Sequence, residues 1–497
     1  DLTGTEPVGW SLQPESGKGR EAGGIEALDG EGVREPGLEL AAGAQDLDEH
    51  LDRGTVVLVD EVEETVEGVV AHGGTVPHHG PFPGRYCGPM TAPVTFDDID
   101  ITDLDVFAQR YPADWFAHLR EHAPVWRHPG TEGSGGEDFW LVSSYEHVTE
   151  VHRAGTLYSH QTGPGRDGAG GIALTDLPPD RGPGLQMVMT DPPQHTRYRK
   201  LVNSGFTPRM VRRLEDTFRL RTTAILDRIT PVGSADFVVD VAAELPLMAI
   251  AEIIGVPQED RDKLFDWSNR TIGGQDEEYG ASTDGEDEYT DAMIEMAMYA
   301  HDLTDEKRAH PADDLWTRLT EAVVTMEDGT RQELTEIERD LFFTLLVVAG
   351  NETTRNAISK GMIAFLEHPD QWRRWIDHPE LGDTMVDEIL RWTSPVNFFR
   401  RTATAATELG GQQIAAGDKV VLWYPSGNRD ENEFPNPDDF DITRSPNHHM
   451  AFGAGGAHFC LGANLARLEI KIIFQELARR MPDIHRTGDV DRLRMNL

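Results

Sequence analysis

Residues 451–467 read AFGAGGAHFCLGANLAR, and the fold turns on them. Four glycines, at 453, 455, 456 and 462, surround Cys460, and a helical pattern begins at Ala463. Glycines let a backbone come close to a large flat ligand and turn its N–H groups towards one sulfur. A cysteine at a helix N-terminus is expected to have a depressed pKa and to present the thiolate, the metal-binding form. No second Cys or His stands at zinc spacing, so zinc is not expected. An iron that already has four ligands from a macrocycle needs only one from the protein, and haem with an axial thiolate meets that requirement. The plainer alternative is a structural cysteine in a glycine-rich turn.

Upstream, the clearest helical pattern covers residues 335–367. Thr335 and Glu338 have capping-box spacing, and His368-Pro369 stops the run. At 1.5 Å per residue the rod is about 50 Å long, enough to cross a domain. Its centre, residues 341–348 (LFFTLLVV), is apolar all round, so the helix is expected to be buried. Ala349-Gly350-Asn351-Glu352-Thr353-Thr354 follows, and a carboxylate with hydroxyls inside an apolar helix is costly unless used or paired. Gly350 and the threonine hydroxyls, bonding back to the preceding turn, can open or bend the helix there. Glu388 and Arg391, at i, i+3, share a helix face and can pair. Lys419–Trp423 (KVVLW), after the Gly417-Asp418 turn, reads as a strand. The class is mainly α with small β-sheets.

The composition narrows the function classes. Among 497 residues, 45 basic against 87 acidic side chains leave a net charge of −42, which argues against nucleic acid as a partner. No run approaches the ~18 apolar residues of a membrane span. Only Cys87 and Cys460 are present, so a disulfide scaffold and a protein-held iron–sulfur cluster are excluded, and a reducing cytoplasm is expected. Residues 1–90 are acidic and rich in Gly and Pro. They are expected to form a flexible extension ahead of one domain over residues 91–497.

Phe452-Gly453, a Gly-rich turn, then His458-x-Cys460-x-Gly462 resembles the haem loop of cytochrome P-450 monooxygenases. The loop is one residue longer than the commonest form, as in the bacterial branch that hydroxylates sterol side chains and methyl-branched lipids. The resemblance spans about four-fifths of the chain and implies the P-450 fold. It also implies haem b, with Cys460 as axial ligand of the iron. Phe452, Gly453, Gly462, Ala349 and Gly350 would lie against the macrocycle, and His195, Arg199, Arg401 and His458 would hold its propionates. Glu352 and Thr353 match the acid–alcohol pair that delivers protons, and Glu388 and Arg391 a buried structural pair. The family places an Arg where this chain has Asp439, and Arg444 is the expected substitute. The family core continues for roughly a strand pair beyond residue 497, so its C-terminal hairpin is expected to be short or missing.

The activity so implied is insertion of one oxygen atom from O2 into a C–H bond. Met187, Val188, Met189, Val348, Val396, Asn397 and Phe398 are expected to wall an apolar pocket. A steroid side chain or branched lipid is the expected substrate. A terpenoid or polyketide hydroxylase is the alternative, followed by a peroxygenase or a non-catalytic haem- or lipid-binding protein. Electrons are expected from a ferredoxin and its reductase, docking on Arg197, Lys200, Arg209, Arg212 and Arg213, and the protein is expected to be a monomer.

Overall fold

The computed structural model describes residues 94–492 apart from 167–169, 178–182, 273–284, 326–328, 489 and 491. The expected extension over residues 1–90 lies outside them, as do residues 493–497.

Five short strands form the principal sheet: β1 (Val125–His128), β2 (Phe139–Val142), β3 (Tyr158–Ser159), β4 (Phe398–Ala403) and β5 (Lys419–Trp423). Their order is β1-β2-β5-β4-β3, with β2 and β5 parallel and the other pairs antiparallel. Side chains alternate between the faces of a strand, and here each face has its own core. Phe139, Leu141, Phe398, Val421 and Trp423 pack with Phe107, Trp115 and Phe116 of the helices before the sheet. Trp140, Val142, Ala403, Val420 and Leu422 pack on the other side with Val148, Val151 and Met450.

Six helices carry the argument: α1 (Tyr145–Arg153), α2 (Gln194–Val202), α3 (Glu244–Ile254), α4 (Glu336–Glu367), α5 (Gly382–Thr393) and α6 (Ala463–Arg480). The expected central helix is α4. Thr335 Oγ1 accepts from the Glu338 N–H at 3.3 Å while Glu338 Oε2 accepts from the Thr335 N–H at 2.8 Å, so the capping box is complete. Phe342, Phe343, Leu346, Val347, Ile358, Met362 and Phe365 of α4 join the largest apolar cluster, with Ile250 of α3, Ile389 of α5 and Phe474 of α6. Gly361 permits that packing, because a Cβ there would lie 2.9 Å from the Ile389 side chain and 3.2 Å from Phe474. Among the described residues no helix is long and apolar enough to cross a membrane.

Candidate active site

The glycine-rich loop is held from two sides. Gly453, Gly455 and Gly456 have φ of 88°, 97° and 81°, a left-handed region that favours glycine. A Cβ on Gly456 would sit 2.6 Å from the carbonyl of His152 in α1, whereas one on Gly455 would meet nothing within 4 Å. The Cys460 N–H donates to the Phe452 carbonyl at 3.0 Å and closes the loop, while the Arg467 guanidinium lies 4.5 Å from the Phe452 ring centre. Helix α6 begins at Ala463 with Gly462 as its N-cap, and a Cβ on Gly462 would lie 4.0 Å from Cys460 Sγ.

The expected depressed thiol is corrected here. Burial pushes the Cys460 thiol above its ordinary value and outweighs the N–H groups of Gly462 and Ala463 and the charges of Arg199 and Arg467. Yet Cys460 retains exposed surface.

The central helix also has a bare stretch. Ala349 is exposed between the fully buried Val347 and Asn351, and Leu345, Val348 and Thr353 are only half-buried. Leu345, Ala349 and Thr353 are spaced i, i+4, so they form one stripe. Thr353 Oγ1 donates to the Ala349 carbonyl at 2.9 Å, the back-bond that bends helices. Glu352 is buried, ion-paired with Arg355 one turn on, and accepts from Asn356 Nδ2 at 3.1 Å. A Cβ on Gly350 would lie 2.9 Å from Ile250 of α3, so its bare side serves helix packing.

Basic side chains converge beside the loop. His195 and His458 stack with ring centres 3.8 Å apart, and Arg199 Nη1 donates to the Phe459 carbonyl at 2.9 Å. Arg401 is 2% exposed and donates to the Arg400 carbonyl at 2.8 Å. Two histidines that the sequence reading missed join them. His160 stacks on His458 at 3.3 Å, and His152 Nε2 lies 3.2 Å from the Tyr424 hydroxyl. Burial, then neighbouring positive charge, lowers His195 to about 4, His152 to about 3 and His458 to about 2. His160 Nδ1 and His458 Nε2 are buried without a hydrogen-bond partner. Among the described residues neither Arg199 nor Arg401 is ion-paired with a carboxylate. Asp191 is the carboxylate whose charge reaches Arg401, and its two oxygens already accept from the Ser159 hydroxyl and the His160 N–H.

A pH dependence follows for the protein without ligand. His195 and His152 bind protons more weakly folded than unfolded, where the ordinary value is 6.5. Their contribution to stability is therefore complete above about pH 6.5 and is lost as pH falls towards 4 and then 3. Urea midpoints of haem-free protein should fall between about pH 7 and 5, and His195→Asn should flatten that slope. An unchanged slope would contradict the assignment.

The Glu388–Arg391 pair is 0% exposed on both sides. Arg391 uses all five donors: two on Glu388 at 2.8 Å each, and three on the carbonyls of Asn428, Pro437 and Asp439 at 2.9, 2.8 and 3.0 Å. Arg444 takes the expected substitute place, with Nε 3.1 Å from Glu388 Oε2. Asp439 contributes its backbone carbonyl instead.

The pocket expectations divide. Val188 and Val348 are half-buried, Val396 packs with the Arg401-side core, and Met189 approaches Gly171, where a Cβ would lie 2.9 Å from its sulfur. Met187 joins the main helical core, and the Asn397 carbonyl accepts from the Tyr424 N–H at 2.9 Å. Phe398 is a correction. Strand alternation sends it to the opposite face, stacked 5.6 Å from Trp423, and puts Phe399 on the side of Arg401.

The cytochrome P450 family model matches residues 253–481. A steroid C26-monooxygenase of Rhodococcus jostii (strain RHA1) is 46% identical over 428 residues, covering 84% of this chain and 87% of that protein. A methyl-branched lipid omega-hydroxylase of Mycobacterium bovis (strain ATCC BAA-935 / AF2122/97) is 39% identical over 419 residues, covering 82% of this chain and 94% of that protein. Among solved structures, Mycobacterium marinum cytochrome P450 CYP268A2 in complex with pseudoionone superposes with a TM-score of 0.72 at 35% identity, covering 79% of this chain and 94% of that one.

Proposed function

Because the chain belongs to the cytochrome P450 family of haem-dependent monooxygenases, we propose that Cys460 is the axial ligand and that the substrate is a steroid side chain or methyl-branched lipid. The observation that carries the haem reading is the pairing of an exposed Cys460 in the glycine-rich loop with a cluster of bases that holds two buried, unpartnered ring nitrogens. A flat dianion with one open metal position suits both. The glycine loop would present its backbone to the group, Ala349 and Thr353 would offer it the bare stripe of α4, and His195, Arg199, Arg401 and His458 would hold the two propionates. Protoporphyrin IX iron (haem b) is the form proposed, since the two cysteines offer no C-x-x-C-H attachment. When bound, haem supplies the dioxygen activation that ends with one oxygen atom in a C–H bond.

The chain's own residues supply the rest. Thr353 Oγ1 holds a proton at the open stripe, and rotation about χ1 would turn it from the Ala349 carbonyl towards that space. Glu352, adjacent in sequence, is the proposed acid, and Arg355 and Asn356 fix its carboxylate until it is protonated. Half-buried Val348 and Val188, with Phe399, supply apolar wall that keeps water out. Thr353→Ala and Glu352→Gln are each expected to lower product formation about 100-fold while electron consumption persists. Product and electron consumption falling in equal proportion would remove this role.

Substrate class rests on the named relatives and on these apolar residues. Titrating the haem-loaded protein with sterols, methyl-branched fatty acids and a polyketide panel, and following displacement of iron-bound water optically, tests it. The reading requires the first two classes to bind tightest, with oxidation at a terminal methyl. Tighter binding by the polyketides would replace it.

A redox partner must deliver the electrons, and we assign that part to a ferredoxin in a reducing cytoplasm. Lys200, Arg209, Arg212 and Arg213 are exposed on and after α2, a basic patch on a strongly acidic protein. Arg197 leaves the expected patch: it is 4% exposed and ion-paired with Glu338 at 2.7 Å. Lys200→Glu with Arg212→Glu should slow reduction by ferredoxin about 10-fold at low salt and less at high salt. Unchanged reduction by every ferredoxin tried would dismiss the patch.

A further inference from the structure

Ser159 ends β3, the strand that pairs Ser159 with Thr402, next to Arg401 on β4, and His160 follows it directly. Asp191, just before α2, fixes this corner: one carboxylate oxygen accepts from the Ser159 hydroxyl and the other from the His160 N–H at 2.8 Å. Ser159 Oγ in turn accepts from the N–H groups of Gln161 and Thr162 at 2.9 Å each. The backbone on both sides of His160 is therefore fastened, and its side chain extends from a fixed base.

The side chain leads into the cluster of bases. The His160 ring is 7% exposed and lies nearly parallel to His458, 11° apart in plane and 3.3 Å between centres. The His195 ring lies against His458 at 3.8 Å, so three imidazoles share one small space with Arg401. Asp191 is the nearby carboxylate, and its two oxygens already serve Ser159 and the His160 backbone. His160 Nδ1 has no partner, and neither has His458 Nε2. Two buried, unmatched ring nitrogens among bases call for an acceptor that carries negative charge. A haem brings two propionates.

We propose that His160 donates a hydrogen bond from Nδ1 to a haem propionate, a fifth base beside His195, Arg199, Arg401 and His458. The inference rests on the haem reading and adds a residue that no sequence motif marks. Asp191 positions it through the backbone and so joins the β3 corner to the start of α2, which carries His195 and Arg199.

The test uses full-length, haem-loaded protein with His160→Phe and His160→Gln. Phenylalanine keeps a flat ring in the stack and removes the nitrogen, whereas glutamine keeps a donor and removes the ring. Haem transfer to excess haem-free myoglobin is followed by absorbance. His160→Phe should release haem about 10-fold faster than the parent, and His160→Gln within about 3-fold of it, as for loss and retention of a bond to a charged group. With haem dimethyl ester, whose propionates carry no charge, parent and His160→Phe should release alike. Parental release by His160→Phe, or faster release by His160→Gln than by His160→Phe, would overturn the proposal and leave a packing role. Should His160→Phe not fold, parental stability to release in His160→Gln must vanish with the ester, and its persistence there counts against the proposal. A parent protein that holds no haem would instead overturn the haem reading, and this inference with it.

Discussion

Arg391→Leu is expected to remove about 3–5 kcal/mol of stability, a large share of the about 5–15 kcal/mol that a domain has. The reason is geometric. Leucine fills much of the volume but deprives the buried Asn428 carbonyl and the part-buried Pro437 carbonyl of the Arg391 donor, while the Asp439 carbonyl keeps Arg444 Nη2 at 3.0 Å. Glu388 loses its bidentate partner and keeps a buried charge. Part of that charge is still met by Arg444 at 3.1 Å, by Asn447 Nδ2 at 3.1 Å and by the Asp441 N–H at 2.8 Å. Glu388→Gln should therefore be milder than Arg391→Leu, and Arg444→Ala milder again. Arg391→Lys should resemble Arg391→Leu, because one ammonium cannot reach acceptors arranged around a planar fork. Urea midpoints of the four variants check this order, and a parental midpoint for Arg391→Leu would contradict it. The network joins α5 to the segment before the glycine-rich loop, so its loss should also loosen the loop.

The second large effect is expected from Cys460→Ala. The variant keeps the loop glycines and their left-handed conformations, so folding should survive better than in Arg391→Leu. What it lacks is the sulfur proposed to bond the haem iron. Even partners behind a metal ligand are worth about 10–100-fold in affinity, so removal of the ligand should exceed that, and substrate oxidation should fall to background. Residual weak haem in the base cluster is compatible with the account, because propionates would still be held there. Cys460→His separates the two roles, since an imidazole can ligate iron without providing a thiolate.

What could be read from sequence was what short spacings encode. The central helix was legible at both ends, because Thr335, Glu338 and the His368-Pro369 stop act within a few residues of themselves. Glu388 and Arg391 share one helix turn, and Arg444 was close enough in chain to be named as the substitute. The rest depends on contacts across the chain. His160 reaches the bases through the pairing of Ser159 with Thr402, and no local pattern marks it. Phe398 and Phe399 are both apolar, and only the pairing of β4 with β5 shows which face each takes. Strand alternation, applied from Arg401 backwards, would have selected Phe399. The thiol shift was misjudged because a helix N-terminus is visible in sequence whereas burial is not. The packing of Gly350 against Ile250 depends on another helix, and no local pattern marks it.

The most direct test of thiolate ligation by Cys460 is the absorption spectrum of the dithionite-reduced protein under carbon monoxide. The account predicts a Soret band at the long wavelength that a thiolate opposite carbon monoxide produces, abolished in Cys460→Ala and moved to shorter wavelength in Cys460→His. A short-wavelength band in the parent under conditions where it oxidises substrate, or a long-wavelength band that persists in Cys460→Ala, would contradict it.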